Sequence, residues 1–281
     1  MILTTNNENA IKQISYLTTL FTDLKVTISG NYNPDTITDL IKSELWPDAV
    51  DSSNIARSEQ DMKERAESII RYFVGDLEGK KFLDFGCGNG LCVQSAKKRA
   101  KLAVGYDIVK HELWDNSCST DINLIKNHGP YDVILMYDVF DHIPEDQVDS
   151  SLLLLRSLCA SHTIIKFRFH PFTAIHGGHL YEKLNKAYAH LFLSESEIAQ
   201  YSSCFVRKIN RPLKTYYEAL SKNGFTCKNR ELIKHDRQDV LNGIVMSADA
   251  IKHINQSFDA DAGWASYILP IEFVDLVSSI V

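Results

Sequence analysis

The sequence predicts a doubly wound α/β fold built on a mostly parallel sheet. Three observations carry that expectation. Short apolar runs at Lys81–Phe85, Leu102–Asp107, Tyr131–Asp138 and Thr163–Phe169 have the composition of strands buried on both faces. Segments with helical spacing of apolar residues accompany them. The first run breaks directly into Gly86-Cys-Gly-Asn-Gly90, the behaviour of a strand that turns into a helix.

In chain order, residues 9–25 place Ile11, Ile14, Leu17, Leu20, Phe21 and Leu24 at helical spacing. Turn chemistry follows around Pro34, then a second helical pattern over 35–44 and an irregular stretch over 46–54. Residues 1–60 are accordingly expected to form an N-terminal helical cover, and 61–281 the main domain. Asp61–Val74 is amphipathic, with Ala66, Ile69, Ile70 and Phe73 on one side. After the third apolar strand, Glu145–Leu158 reads as a helix. Residues 170–210 are too long for a simple crossover and suit a substrate lid. Within them Tyr181–Phe192 looks helical, and Ser194 with Glu197 has the spacing of a capping box. A further helix over Pro212–Asn223 runs into Gly224. Phe225–Ile233 and Val240–Met246 read as a closing strand pair. Pro270 argues against a central strand over 268–271.

Composition narrows the function classes. The chain has 281 residues, is 44% hydrophobic and 23% charged, and carries a formal net charge of -6. These are globular values, which exclude disordered and fibrous chains. Without a basic excess, nucleic acid is an unlikely partner, and so is an anionic membrane. Cys87, Cys92, Cys118, Cys159, Cys204 and Cys227 form no CxxC pair, so no structural zinc, disulfide framework or other metal is expected. The N-terminus lacks a secretory pattern, and the apolar run Leu152–Leu155 is closed by Arg156. A soluble, cytoplasmic setting is expected.

The glycine turn admits three ligand readings. A dinucleotide loop wants G-x-G-x-x-G, but the third glycine here comes one residue early and Leu91 takes its place. A phosphate-binding P-loop requires a Gly-Lys-Ser/Thr that is absent. Asp84, just before the turn, would repel a pyrophosphate and suits a ligand with an ammonium group. S-adenosylmethionine, with its sulfonium and amino-acid end, meets those conditions. Asp107 lies at the end of the second strand, where an acid reaches ribose hydroxyls in folds of this kind.

These residues resemble the class I, Rossmann-like S-adenosylmethionine-dependent methyltransferases. Asp84-Phe-Gly-Cys-Gly-Asn-Gly90 is similar to that family's first motif. Gly105-Tyr-Asp107-Ile108 resembles its ribose-binding strand end, and Tyr131–Pro144, with Asp141-His142-Ile143, resembles the strand and loop that follow. The likeness covers about 61–169. It implies a seven-stranded, mostly parallel sheet with the lid insertion after the fifth strand. It also implies that Asp84, Phe85, Gly86, Cys87 and Gly88 line the methionine end of the cofactor. Asp107 would then hold the ribose, with Ile108 against the adenine. Asp121 and Ile122 would approach the adenine amino group, and Tyr137 would border the methyl-transfer position.

The acceptor is expected to be a small molecule, with oxygen preferred over nitrogen. The sequence Tyr137-Asp-Val-Phe140 lacks the proline pair typical of methylases acting on amino groups of nucleic-acid bases. Arg168-Phe-His170-Pro171 through His176-Gly-Gly-His179-Leu-Tyr181 leaves the same sheet edge as the cofactor motifs. An imidazole there can remove a proton from a hydroxyl, so His176 and His179 are the leading candidate bases, with His142 a separate one. A metal site or a structural turn are the competing readings of the histidine cluster. An RNA methyltransferase and a non-catalytic binding module are the alternative functions; the oligomeric state is not legible.

Overall fold

A computed structural model describes residues 2–3, 27–28, 41–42, 48–50, 55, 57–169, 176–187, 189–202, 213–234 and 271–280. The expected helix over 9–25, the turn at Pro34, most of the helix over 35–44, His170 and the strand over Val240–Met246 lie outside the described residues. The chain divides into two compact units. One comprises Ala56–His170, Thr215–Leu232 and Phe273–Val281; the other comprises Met1–Ile55, Pro171–Lys214 and Ile233–Glu272.

The first unit is built on a seven-stranded sheet. Its strands are β1 (Lys81–Phe85), β2 (Leu102–Tyr106), β3 (Cys118–Ser119), β4 (Tyr131–Tyr137), β5 (Cys159–Phe169), β6 (Phe225–Lys234) and β7 (Ile271–Ile280). Their spatial order is β3-β2-β1-β4-β5-β7-β6. Strands β1 to β5 pair in parallel, and β7 runs antiparallel to β5 with Phe169 opposite Val274. The sequence-based α/β, mostly parallel, seven-stranded expectation therefore holds. The order reverses between β1 and β4, and a doubly wound sheet opens a crevice at the carboxyl ends of such a pair.

Local chemistry explains the helices. Helix α1 (Glu59–Ser68) starts in a capping box, Ser58 with Asp61, and passes into a π-helical turn over Ile69–Val74. Ala66 is buried on α1, and Ile69, Ile70 and Val74 are buried against Leu77, Phe82, Val93, Ala103, Val133 and Leu135. Helix α2 (Leu91–Ala96) follows the glycine turn, and Asn89 Oδ1 accepts from the Leu91 N–H at 3.1 Å. Ser95 donates to Glu67 at 2.5 Å, and Arg99 also pairs with Glu67, which ties α2 to α1. Helices α3 (Ile122–His128) and α4 (Val148–Ser157) flank β4 in sequence. A second core gathers Phe140, Phe167, Phe169 and Tyr216, with Phe169 stacked on Tyr216 at 4.4 Å. Among the described residues no helix is long and apolar enough to cross a membrane.

The second unit contains helices α5 (Ala189–Phe192) and α6 (Glu195–Tyr201), and a short parallel pair, Ile2–Leu3 with Thr27–Ile28. The capping box at Ser194 and Glu197 forms as expected. The helix expected over Tyr181–Phe192 does not: turns occupy 181–183, and only α5 is helical. Asn185 is the physical reason. Its side chain bonds both the N–H and the carbonyl of Val50, at 3.0 and 2.8 Å, as a strand partner would. Helix α7 (Leu213–Lys222) ends before Gly224, whose φ of +78° suits only glycine well.

A second correction concerns Pro270. It precedes β7 by one residue, and β7 lies between β5 and β6 instead of at an edge. Proline is excluded from a strand interior because it lacks an N–H, but it is tolerated where a strand begins.

Candidate functional site

The site grows from the ends of β1, β2 and β4. Asp84 sits on β1, in register with Gly105 of β2 and Leu135 of β4. Flanked on both sides by strands, it is 4% exposed. Burial, and secondarily the charge of Asp107, raise its carboxyl from the ordinary 3.8 to about 7. The two acids named from the sequence therefore share one electrostatic neighbourhood.

Backbone hydrogen bonds set the turn after β1. Gly86 N–H and Cys87 N–H both donate to the Tyr106 carbonyl, at 2.7 and 3.0 Å. Gly88 N–H donates to Asp107 Oδ2 at 2.8 Å, and Val109 N–H to Asp107 Oδ1 at 3.2 Å. Trp114 Nε1–H donates to the Gly88 carbonyl at 2.7 Å. Gly86 has a φ of +84°, and a Cβ there would lie 2.3 Å from Val139 Cγ2. A side chain is thus barred by both conformation and space. At Gly88, by contrast, a Cβ would meet nothing within 4 Å, so the crest of the turn is bare backbone.

The other cofactor candidates fall as follows. Phe85 and Cys87 are buried, and Phe85 lies against Tyr106 at 5.3 Å between ring centroids. Ile108 projects outward at 82% exposure. Asp121 is exposed and caps α3, accepting from Asn123 N–H at 2.9 Å, and Ile122 is the first residue of that helix. Tyr137 ends β4, packed edge-on against Phe73 at 5.6 Å.

Two arginines lie against Tyr137: Arg168, at the head of the histidine segment, and Arg65, which the motifs do not reveal. Arg168 lies 4.3 Å and Arg65 5.5 Å from its ring centroid, a cation–π arrangement on each. Both also pair with Asp138 Oδ2, at 3.2 and 3.6 Å. Asp138 adopts a φ of +56° and donates its N–H to the Arg168 carbonyl at 2.7 Å. A non-glycine residue in this region is held there only by such surroundings. Trp114 is likewise a residue the motifs miss, because it reaches the glycine turn from a distant loop.

His142 follows β4 in the first unit, half-buried, with Nε2 3.9 Å from Asp141 Oδ2. His176 and His179 belong to the second unit, where their rings stand 6.1 Å apart and each is 5.8 Å from the ring of Tyr181. His179 has a φ of +53°, and its N–H donates to the His176 carbonyl at 2.9 Å.

Comparison with known proteins agrees with this geometry. Residues 58–170 match the family described as "Methyltransferase domain". A ubiquinone biosynthesis O-methyltransferase of Escherichia coli O157:H7 is 28% identical over 94 residues, which take in 28% of this chain and 39% of that protein. Its counterpart from Shigella boydii serotype 18 is 28% identical over 87 residues, covering 26% of this chain and 36% of the relative. The match thus spans about two fifths of the length of these curated relatives. A crystal structure of a SAM-dependent methyltransferase from Archaeoglobus fulgidus superposes with a TM-score of 0.51 at 17% identity, over 81% of this chain and 96% of that one. That likeness speaks for the fold. Residues 58–170 match the methyltransferase-domain family, and the strand order is that of a Rossmann-like fold, which the Archaeoglobus fulgidus structure shares.

Proposed function

We propose that the protein is an S-adenosylmethionine-dependent methyltransferase that methylates a small molecule, at oxygen in preference to nitrogen. One observation carries the reading: two carboxylates, one buried and one beside the bare crest of a glycine turn, lie within electrostatic reach of each other. Like charges so placed favour a cationic ligand. The residues fit the cofactor, whose ammonium and sulfonium supply positive charge and whose methionine end needs open backbone.

When bound, the cofactor supplies an activated methyl group. The residues of this chain do the rest. Asp84, Phe85, Gly86, Cys87 and Gly88 receive the methionine end. Asp107 receives the ribose and Ile108 the adenine face, with Asp121 and Ile122 nearest the adenine edge. Tyr137, with Arg65 and Arg168 against its ring, presents an aromatic wall to the reacting centre. A histidine among His142, His176 and His179 takes the acceptor proton. Roles for residues 1–60 as cover and 170–210 as substrate lid complete the proposal; they rest on the sequence. The preference for oxygen rests on these histidines, and the O-methyltransferase relatives point the same way.

Calorimetry with S-adenosylhomocysteine tests the cofactor half. Binding is expected, and Asp107→Ala should weaken it by roughly tenfold or more, the scale of a lost charge-assisted hydrogen bond. No binding at millimolar ligand, or unchanged affinity in the variant, refutes the assignment. Transfer of a labelled methyl group to a panel of phenols, carboxylic acids and amines then distinguishes the acceptor atom.

A further inference from the structure

Cys118 has no part in the chemistry proposed above, yet its sulfur meets that of Cys87, a residue of the cofactor turn. Cys87 occupies the glycine turn between Gly86 and Gly88 and is 6% exposed. Cys118 lies on β3, in register with Gly105 on β2. Gly105 explains the meeting. A Cβ on it would lie 2.8 Å from Cys87 Sγ and 2.9 Å from Cys118 Sγ, so both sulfurs fill the space that the missing side chain leaves. Neither sulfur is in a disulfide.

We propose that Cys87 and Cys118 form a redox-sensitive pair whose oxidation by hydrogen peroxide to a disulfide fastens the glycine turn to β3. The consequence for the turn rests on the cofactor reading above; the disulfide itself does not.

The two sulfurs are not equivalent. Cys118 is partly exposed and within reach of a solvent oxidant, whereas Cys87 is buried. Cys118 is thus the attacking sulfur and Cys87 the resolving one. The Cys118 thiolate attacks one peroxide oxygen, the O–O bond breaks, and the departing hydroxide takes a proton to become water. Cys87 sulfur then attacks the Cys118 sulfenic acid; the S–S bond forms, the S–O bond breaks, and the Cys87 proton leaves with the hydroxide as a second water. Two thiols are oxidised and one peroxide is reduced.

Trp114 adds a second consequence. It holds the Gly88 carbonyl, and both its Cδ1 and Cys118 Sγ lie 3.1 Å from where a Gly90 Cβ would be. Drawing Cys118 sulfur toward Cys87 therefore alters packing at both ends of the turn.

The test treats the full chain with a small excess of hydrogen peroxide, blocks remaining thiols and reads intact mass and peptide maps. A loss of about 2 Da, reversed by dithiothreitol, with Cys87 and Cys118 in the linked peptides, is the expected result. Cys118→Ser, and independently Cys118→Ala, should abolish the linkage. S-adenosylhomocysteine affinity should fall by roughly tenfold on oxidation of the wild-type chain and hold steady in Cys118→Ser treated the same way. Linkage of a different pair, no linkage, or equal affinity in the reduced and oxidised chains overturns the proposal. If the reduced chain fails to bind S-adenosylhomocysteine, the cofactor reading falls, while the peptide map still decides whether the pair forms.

Discussion

Replacing Asp84 with asparagine offers the sharpest test of the site. In the folded chain its carboxyl titrates at about 7, against 3.8 ordinarily. A proton is therefore retained on folding across the interval between those values. The folded state binds more protons than the unfolded one there, so stability is greatest at low pH and falls as pH rises toward 7. Each pKa unit is worth about 1.4 kcal/mol, so the full span is about 4 kcal/mol, of which about 2–3 kcal/mol falls between pH 5 and pH 8. Asparagine cannot ionise. Asp84→Asn should therefore gain about 2–3 kcal/mol of stability relative to wild type on going from pH 5 to pH 8, read from urea unfolding of both chains. The same ionisation should strengthen S-adenosylhomocysteine binding by the wild type as pH climbs toward 7, because the ligand's ammonium favours the charged carboxylate, and the variant should show no such rise. A wild-type-to-variant difference that stays flat with pH would refute the burial and charge argument for Asp84.

Three further outcomes are expected. Gly86→Ala places a methyl 2.3 Å from Val139 at a positive φ, and should cost about 1–3 kcal/mol of stability with a loss of S-adenosylhomocysteine binding, checked by thermal unfolding and calorimetry. Tyr131→Phe removes the buried hydroxyl that donates to the Ile125 carbonyl at 2.7 Å, and should cost about 1–3 kcal/mol in urea unfolding without changing cofactor affinity. Among His142→Gln, His176→Gln and His179→Gln, the variant lacking the general base should lower kcat by roughly 100-fold or more at unchanged S-adenosylhomocysteine affinity. Full turnover in all three removes histidine from the proton transfer.

Much of the fold was legible because β1, β2 and β4 are buried almost throughout, which leaves short, mostly apolar runs in the sequence, while β5 shows an apolar stretch only toward its end. Strand β3 left no such trace. It is two residues long, Cys118 and Ser119, and exists through pairing with Gly105 and Tyr106. Strand β7 was hidden behind Pro270, whose effect depends on whether it precedes or interrupts the strand. The helix read over Tyr181–Phe192 failed because the side chain of Asn185 has a partner, Val50, far away in sequence. The site divides along the same line. Asp84 and Asp107 could be named because each stands at a strand end marked by local composition. Trp114, Arg65 and Asp138 could not, because their contacts join separate segments and no local period records them.

The Tyr106 carbonyl, which accepts two amide hydrogens at once, makes the posture of the glycine turn a property of the neighbouring strand. Transplanting the heptapeptide into another scaffold would carry its letters and leave its anchor behind. An engineer borrowing this pocket must move β1 and β2 together, with the ring at 106 that packs on Phe85 as well as the carbonyl that anchors the turn.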